Sequence, residues 1–166
     1  MDPIVIADTR PLIAQAATGR LDLLQGLFGQ IRVAQSVARE CLAKPGVDQA
    51  AIAAAIGAGW LRVVSAPRAA DDSLPTSLGA GECDCIRLAV ERRESSLVIV
   101  DDRLARRHAL RLGINIAGTV RLLDLAERRG LLDSTEVLIE RMRRQGYRIG
   151  PNLLGHLRAG GEQIQT

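Results

Sequence analysis

Several acids in this chain stand where an apolar pattern runs into charge. IVIA (4–7) ends on Asp8, and LVIV (97–100) ends on the adjacent pair Asp101 and Asp102. Glu82, in LGAGECDCIRLAVERR (78–93), precedes Ile86, Ala89 and Val90 by four, seven and eight residues, so it shares the inward stripe of a helix. Glu40, in VAQSVARECLA (33–43), follows Val37 by three and adjoins Cys41, at the edge of a buried face. Carboxylates ~4 Å apart repel by roughly 4 kcal/mol at an effective dielectric of 20. If Asp8, Glu40, Glu82 and Asp102 converge, they must protonate, separate or share a cation. Oxygen ligands with no accompanying His or Cys select Mg²⁺ or Mn²⁺ over zinc. Such an ion bridges to phosphate, generates a hydroxide nucleophile and steadies a leaving oxygen.

Each acid also has a plainer reading. An Asp that begins the helix after a strand is a routine N-cap, and a Glu in the first turn gains from the helix dipole. A lone Glu40 at a face boundary is ordinarily solvated. Two strand ends that both close on Asp weigh against capping alone. Asp84 points away from Glu82 and can pair with Arg87 at i+3, as a solvated surface acid. Arg103, Arg106, Arg107 and Arg111 follow the Asp pair, and three of them recur every four residues, a spacing that can track phosphates or simply face water.

The elements that must position these groups are legible in the pattern. Short apolar runs recur at 4–7, 31–34, 61–64, 97–100 and 114–117. Between them lie segments of helical spacing, with Leu21, Leu24 and Phe28 on one face and Leu122, Leu123 and Ala126 on another. Strands alternating with helices predict an α/β fold with a mostly parallel, about five-stranded sheet. In such a sheet the ligand crevice lies outside the carboxyl ends of the strands, where Asp8, Asp101 and Asp102 fall. SAPRAADDSLPTS (65–77) reads as an exposed loop before a helix. Asp133 and Glu136 form a capping pair for a helix ending at Gly146, and a short helix follows Pro151. There is no internal repeat and no domain boundary, so 1–166 is expected to form a single domain, with 130–166 as a C-terminal helical extension packed on the core.

Composition narrows the function classes. With 47% hydrophobic and 25% charged residues over 166 positions, the chain is globular rather than disordered. The first apolar run lacks a basic flank and breaks at Asp8, so neither a signal peptide nor a membrane segment is expected, and a cytoplasmic protein is the default. Cys41, Cys83 and Cys85 lack metal-binding spacing and read as reduced, small buried residues. The net charge is a modest +3, carried by arginines with Lys44 the only lysine. Phe28, Trp60 and Tyr147 are the only aromatics, which argues against base stacking on aromatic platforms; a nucleic-acid partner would be held through its backbone charge. GAGECD (79–84) lacks the third glycine of a dinucleotide loop.

The order of motifs resembles the PIN-domain family, and within it a VapC-like subfamily of uncharacterised prokaryotic proteins. The resemblance rests on Asp8-Thr9 after the first strand, Glu40 on an early helix, LGAGE (78–82) opening a central helix and VIVDDR (98–103) closing a strand. PLIAQAATGRLDLLQGLFG (11–29), GTVRLLDLAERRGLL (118–132) and RMRRQGYRIG (141–150) extend it over nearly the whole chain. It implies a three-layer α/β/α sandwich and a Mg²⁺- or Mn²⁺-dependent ribonuclease. It further implies a homodimer and, as in many members, the toxin of a toxin–antitoxin pair with an antitoxin protein as partner. By motif, the catalytic acids are Asp8, Glu40, Glu82 and Asp102, with Asp101 beside the last as its substitute or support. Asp8, Glu82, Asp101 and Asp102 would hold the metal. Thr9, Arg10, Thr119, Arg103 and Arg107 would face the substrate, whose phosphodiester is hydrolysed by a metal-activated water.

One departure stands out. Members of the family it resembles usually carry Asp-Thr-Ser or Asp-Ser-Ser at the first motif, whereas this chain reads Asp8-Thr9-Arg10. An arginine there either grips the scissile phosphate or pairs with Asp8 in the metal's place. The second outcome makes a weak or inactive PIN fold, an RNA- or protein-binding module. A haloacid dehalogenase-type phosphatase fits poorly, because it wants a second Asp where Arg10 stands. Both it and a receiver domain want a lysine at a later strand end, and Lys44 lies on or just after a helix.

Overall fold

The computed structural model describes residues 3–68 and 73–160. Five strands, β1 (Ile4–Ala7), β2 (Ile31–Ala34), β3 (Leu61–Val64), β4 (Ser96–Ile99) and β5 (Asn115–Ala117), lie within one residue of the apolar runs. All neighbouring pairs are parallel, in the order β3-β2-β1-β4-β5. Consecutive β1 residues Val5, Ile6 and Ala7 are all buried, so both sheet faces are covered, as a parallel sheet requires. The layers are supplied by α1 (Thr9–Ala17), α2 (Asp22–Phe28), α3 (Gln35–Leu42), α4 (Val47–Gly57), α5 (Ala80–Val90), α6 (Arg103–Arg111), α7 (Thr119–Arg128), α8 (Thr135–Arg144) and α9 (Leu153–Ala159).

The strand order positions the site. β2 and β3 extend the sheet on one side of β1, while β4 and β5 extend it on the other, so the direction of winding reverses between β1 and β4. Ala7 pairs with Ile99, and Ile99 with Ala117. The ladder continues one step further, Asp8 N donating to Ile99 O (3.0 Å) and Val100 N to Ala117 O (3.0 Å). Asp8 therefore leaves the sheet level with Val100 and Gly118, and Asp101 and Thr119 follow one residue later, at the switch point where open α/β sheets bind ligands.

Helix faces follow the expected stripes: Leu21 and Leu24 are buried, as are Ile86, Ala89, Leu122, Leu123 and Ala126, while Phe28 and Val90 pack at the margin. The described part of the 65–77 connection is loop, and residues 69–72 lie outside the described residues. Two local expectations are corrected. α8 is capped by Ser134, whose hydroxyl accepts from Val137 N (3.3 Å), not by Asp133, because the extended backbone that precedes the helix falls at Ser134. Asp84 does pair with Arg87 (2.7 Å), but it also accepts from Ser36 of α3 (2.6 Å) and is only 22% exposed, so it ties α5 to α3 rather than facing water.

The helices after residue 130 pack onto α7 and α1. Arg141 donates to Thr18 O (2.8 Å) and Gln145 to Ala17 O (3.0 Å). Arg158 of α9 joins Asp124 (2.9 Å) and Glu127 (3.3 Å) of α7 and Glu136 of α8. The cysteines are free; Cys41 and Cys85 are buried, and burial pushes the Cys41 thiol up to about 12, which keeps it protonated and inert.

Candidate active site at the carboxyl ends of β1 and β4

Asp8 follows Ala7 directly out of the sheet and is only 3% exposed. It occupies the N-cap position of α1, yet its side chain makes no capping bond. Burial raises its carboxyl to about 7, with Glu82, Glu40 and Asp101 adding repulsion in that order; only the neighbouring Thr9 amide pulls the other way. Three elements from different parts of the chain therefore carry acids near enough to bear on one buried carboxyl. This is the kind of perturbed, clustered group that marks functional sites.

Each of the three supporting acids is anchored separately. Glu40 accepts from the Thr9 hydroxyl (2.9 Å) across the gap between α3 and α1. Glu82 turns back to accept from Gly79 N (2.5 Å), so its helix-start bond and its pressure on Asp8 coexist. Asp101 accepts from Thr119 N (2.8 Å), the Thr119 hydroxyl (2.6 Å) and the Tyr147 hydroxyl. Gly81 admits this convergence. A Cβ there would lie 3.0 Å from Val37 Cγ2, 3.3 Å from Asp8 Oδ1 and 3.6 Å from Glu40 Oε2. A side chain would thus intrude between the first two acids.

The adjacent aspartates make different contacts. Asp102 Oδ1 accepts from Ala105 N (2.8 Å) and caps α6, the routine fate of an acid between strand and helix. Its neighbour Asp101, one residue nearer the sheet, is the one whose charge reaches Asp8. The structure thus brings Asp8, Glu40, Glu82 and Asp101 together and leaves the Asp102 carboxylate on its helix. Among the described residues no group of three or more His, Cys, Asp or Glu side chains stands close enough together to hold a metal ion as it is.

Arg10 is exposed and forms no ion pair with Asp8; its guanidinium lies over the Tyr147 ring, 5.7 Å from the centroid. Thr9 and Thr119 are both buried beside the acids they serve. On α6, Arg103, Arg107 and Arg111 are exposed on one face, whereas Arg106 turns inward to Val100 O (3.0 Å).

Tyr147 is the site residue that sequence reasoning passed over. It lies in a stretch noted only for family resemblance, 46 residues from Asp101. Gly146, at φ +88, ends α8 in the left-handed conformation and turns the chain so that Tyr147 N reaches Met142 O (3.0 Å). The signal that could have found it was a lone tyrosine immediately after a helix-ending glycine in a chain nearly free of aromatics.

A family model described as a PIN domain (DUF3368) matches residues 4–160. The chain belongs to the PIN-domain family. Among solved structures it is similar to the PIN domain of RRP44 from T. brucei, at 13% identity over 84% of this chain and 87% of that one, with a TM-score of 0.51. That likeness is one of fold. No curated protein matches the chain. PIN domains are generally nucleases, and they generally use divalent metals.

Proposed function

We propose that this PIN domain is a Mg²⁺- or Mn²⁺-dependent endoribonuclease whose cation is held by Asp8, Glu82 and Asp101, with Glu40 completing the cluster. The observation that carries the reading is the buried Asp8 carboxyl, raised to about 7 by burial and by three further acids. Among the described residues none of the four is in an ion pair. This all-oxygen donor set fits a hard divalent ion. When bound, such an ion supplies Lewis-acid polarisation of the phosphodiester and a more acidic water.

The chain's own residues do the positioning. Asp8, buried against β4, presents a carboxyl that ionises near neutrality, and Thr9 fixes Glu40 beside it. Thr119 orients Asp101 through two bonds. Arg103 and Arg107, with Arg111, offer an exposed row of guanidinium groups along α6, the helix that begins beside Asp101, suited to backbone phosphates. Arg10, held away from Asp8, is placed to meet a phosphate rather than to neutralise the acids. The inactive-module reading requires Arg10 on Asp8, and the observed geometry does not favour it.

Family membership extends the proposal to a cytoplasmic homodimer acting as the toxin of a toxin–antitoxin pair. Co-expression with the product of the neighbouring gene, scored by relief of growth arrest, tests that part. The central test is cleavage of a labelled single-stranded RNA pool with Mn²⁺ or EDTA, using wild type, Asp101→Asn and Asp102→Asn. Mn²⁺-dependent cleavage that disappears in Asp101→Asn and persists in Asp102→Asn supports the assignment. Cleavage by neither wild type nor variants, together with no Mn²⁺ binding, leaves a non-catalytic module.

A further inference from the structure

Tyr147 touches both charged groups whose roles decide whether the site works. Its hydroxyl donates to Asp101 Oδ2, the oxygen that also accepts from the Thr119 hydroxyl. Its ring carries the Arg10 guanidinium at 5.7 Å, within cation–π range. Arg10 and Asp8 are two residues apart at the start of α1, and an unrestrained arginine there would be drawn to a cluster of acids. The ring offers it a different seat. Neither contact is made by the core strands: Tyr147 belongs to the turn after α8, and α8 is fastened to α1 through Arg141 and Gln145.

We propose that Tyr147 is a positioning residue with two separable actions: its hydroxyl fixes Asp101 for the cation, and its ring holds Arg10 off Asp8 and toward the RNA backbone. This rests on the nuclease reading above. It explains how the chain tolerates arginine where a small hydroxyl is expected, and it makes the segment after α8 part of the site.

The two actions come apart in Tyr147→Phe, which keeps the ring and removes the hydroxyl, and Tyr147→Leu, which removes both. Calorimetric Mn²⁺ binding, binding of a labelled single-stranded RNA in EDTA, and thermal melting are measured for wild type, both variants, Arg10→Gln and the combined Tyr147→Leu/Arg10→Gln. Tyr147→Phe is expected to weaken Mn²⁺ about tenfold, as removal of an orienting partner of a metal ligand does, and to leave metal-free RNA binding unchanged. Tyr147→Leu and Arg10→Gln are each expected to weaken RNA binding in EDTA by about fivefold, the effect of one exposed charge pair, with no further weakening when combined. A purely structural tyrosine would lower the melting temperature of Tyr147→Phe while leaving its Mn²⁺ affinity intact, and that result overturns the hydroxyl's role. RNA binding in Tyr147→Leu equal to wild type, with Arg10→Gln still weakened, overturns the ring's role. Should Tyr147→Leu fail to fold, Tyr147→Met, which also lacks the aromatic face but fills more of its space, takes its place in the test of the ring, while Tyr147→Phe still decides the hydroxyl's role. Wild type that binds no Mn²⁺ sinks the nuclease reading itself, a result distinct from wild type and Tyr147→Phe binding it equally.

Discussion

Two acid clusters in this molecule are built in opposite ways. On the C-terminal helices Asp124, Glu127 and Glu136 are gathered around Arg158, and Arg128 adds a second bond to Asp124 (2.9 Å). Hydrogen bonds from Thr135 and within the α8 start, together with Arg158, hold Glu127 and Glu136 below their usual carboxylate range. At the switch point, Asp8, Glu40, Glu82 and Asp101 gather with no ion pair among the described residues, and the buried member is pushed up to about 7. Of the arginines that flank the cluster in sequence, Arg10 rests on the Tyr147 ring and Arg106 on the Val100 carbonyl. A structural cluster brings its own counter-charge. A cluster held together without one stores repulsion that an external cation can relieve.

The contrast breaks most visibly, if it breaks, in catalysis. Asp8→Asn and Asp101→Asn should each lower single-turnover Mn²⁺-dependent RNA cleavage by roughly 10³-fold, the scale of removing one electrostatic group at a reacting phosphate. Asp102→Asn should keep most of the activity, because asparagine caps a helix as well as aspartate does. Equal reductions at 101 and 102 would break the division of labour between them.

Next come stability changes of opposite sign. Asp8 has a raised folded pKa, so its folded form holds a proton that the unfolded chain releases above the ordinary 3.8. The Asp8 contribution to stability is therefore expected to fall as pH climbs from about 4 to 7, by about 1.4 kcal/mol per unit, and to level off above that. Metal-free Asp8→Asn should consequently be more stable than wild type at pH 8 by on the order of a few kcal/mol, with the gap closing toward pH 4. Added Mn²⁺ should raise the wild-type melting temperature and not that of the variant. Asp124→Asn should instead destabilise by about 1–2 kcal/mol, discounted because its arginine partners are partly exposed. Melting curves across pH check both signs, and destabilisation by both substitutions would erase the contrast.

Smaller still is Asp102→Ala, expected to cost about 1 kcal/mol through removal of the α6 cap, read by chemical denaturation. Replacing Arg103, Arg107 and Arg111 one at a time by Gln should weaken RNA binding modestly. Each replacement should flatten the salt dependence by about 0.7 in log–log slope for every phosphate that arginine engages, whatever the RNA sequence.

The strands and most helix faces were legible because burial on a parallel sheet leaves a plain mark: four apolar residues, a turn and a stripe of period 3.6. Asp8 and Glu82 stood out because each acid interrupts or joins such a pattern. Glu40 was harder, since its helix face is mixed and what defines it is the Thr9 hydroxyl 31 residues away. Asp84 illustrates the reverse error: its i+3 partner was visible, but Ser36 on another helix was not.

What the residues alone determined is the alternation that makes an α/β sheet and the placement of acids at strand ends, because both depend on neighbours within a turn or a strand. Whether Asp101 or Asp102 faces the cluster, where Arg10 goes, and that Tyr147 holds them both were settled only in three dimensions. The register of β1, β4 and β5 sets which of two adjacent carboxylates meets Asp8 and which meets a helix end. The seat for Arg10 is supplied by a ring more than a hundred residues further along the chain. Contacts of that separation leave no periodicity in a sequence, because only folding brings their partners within reach.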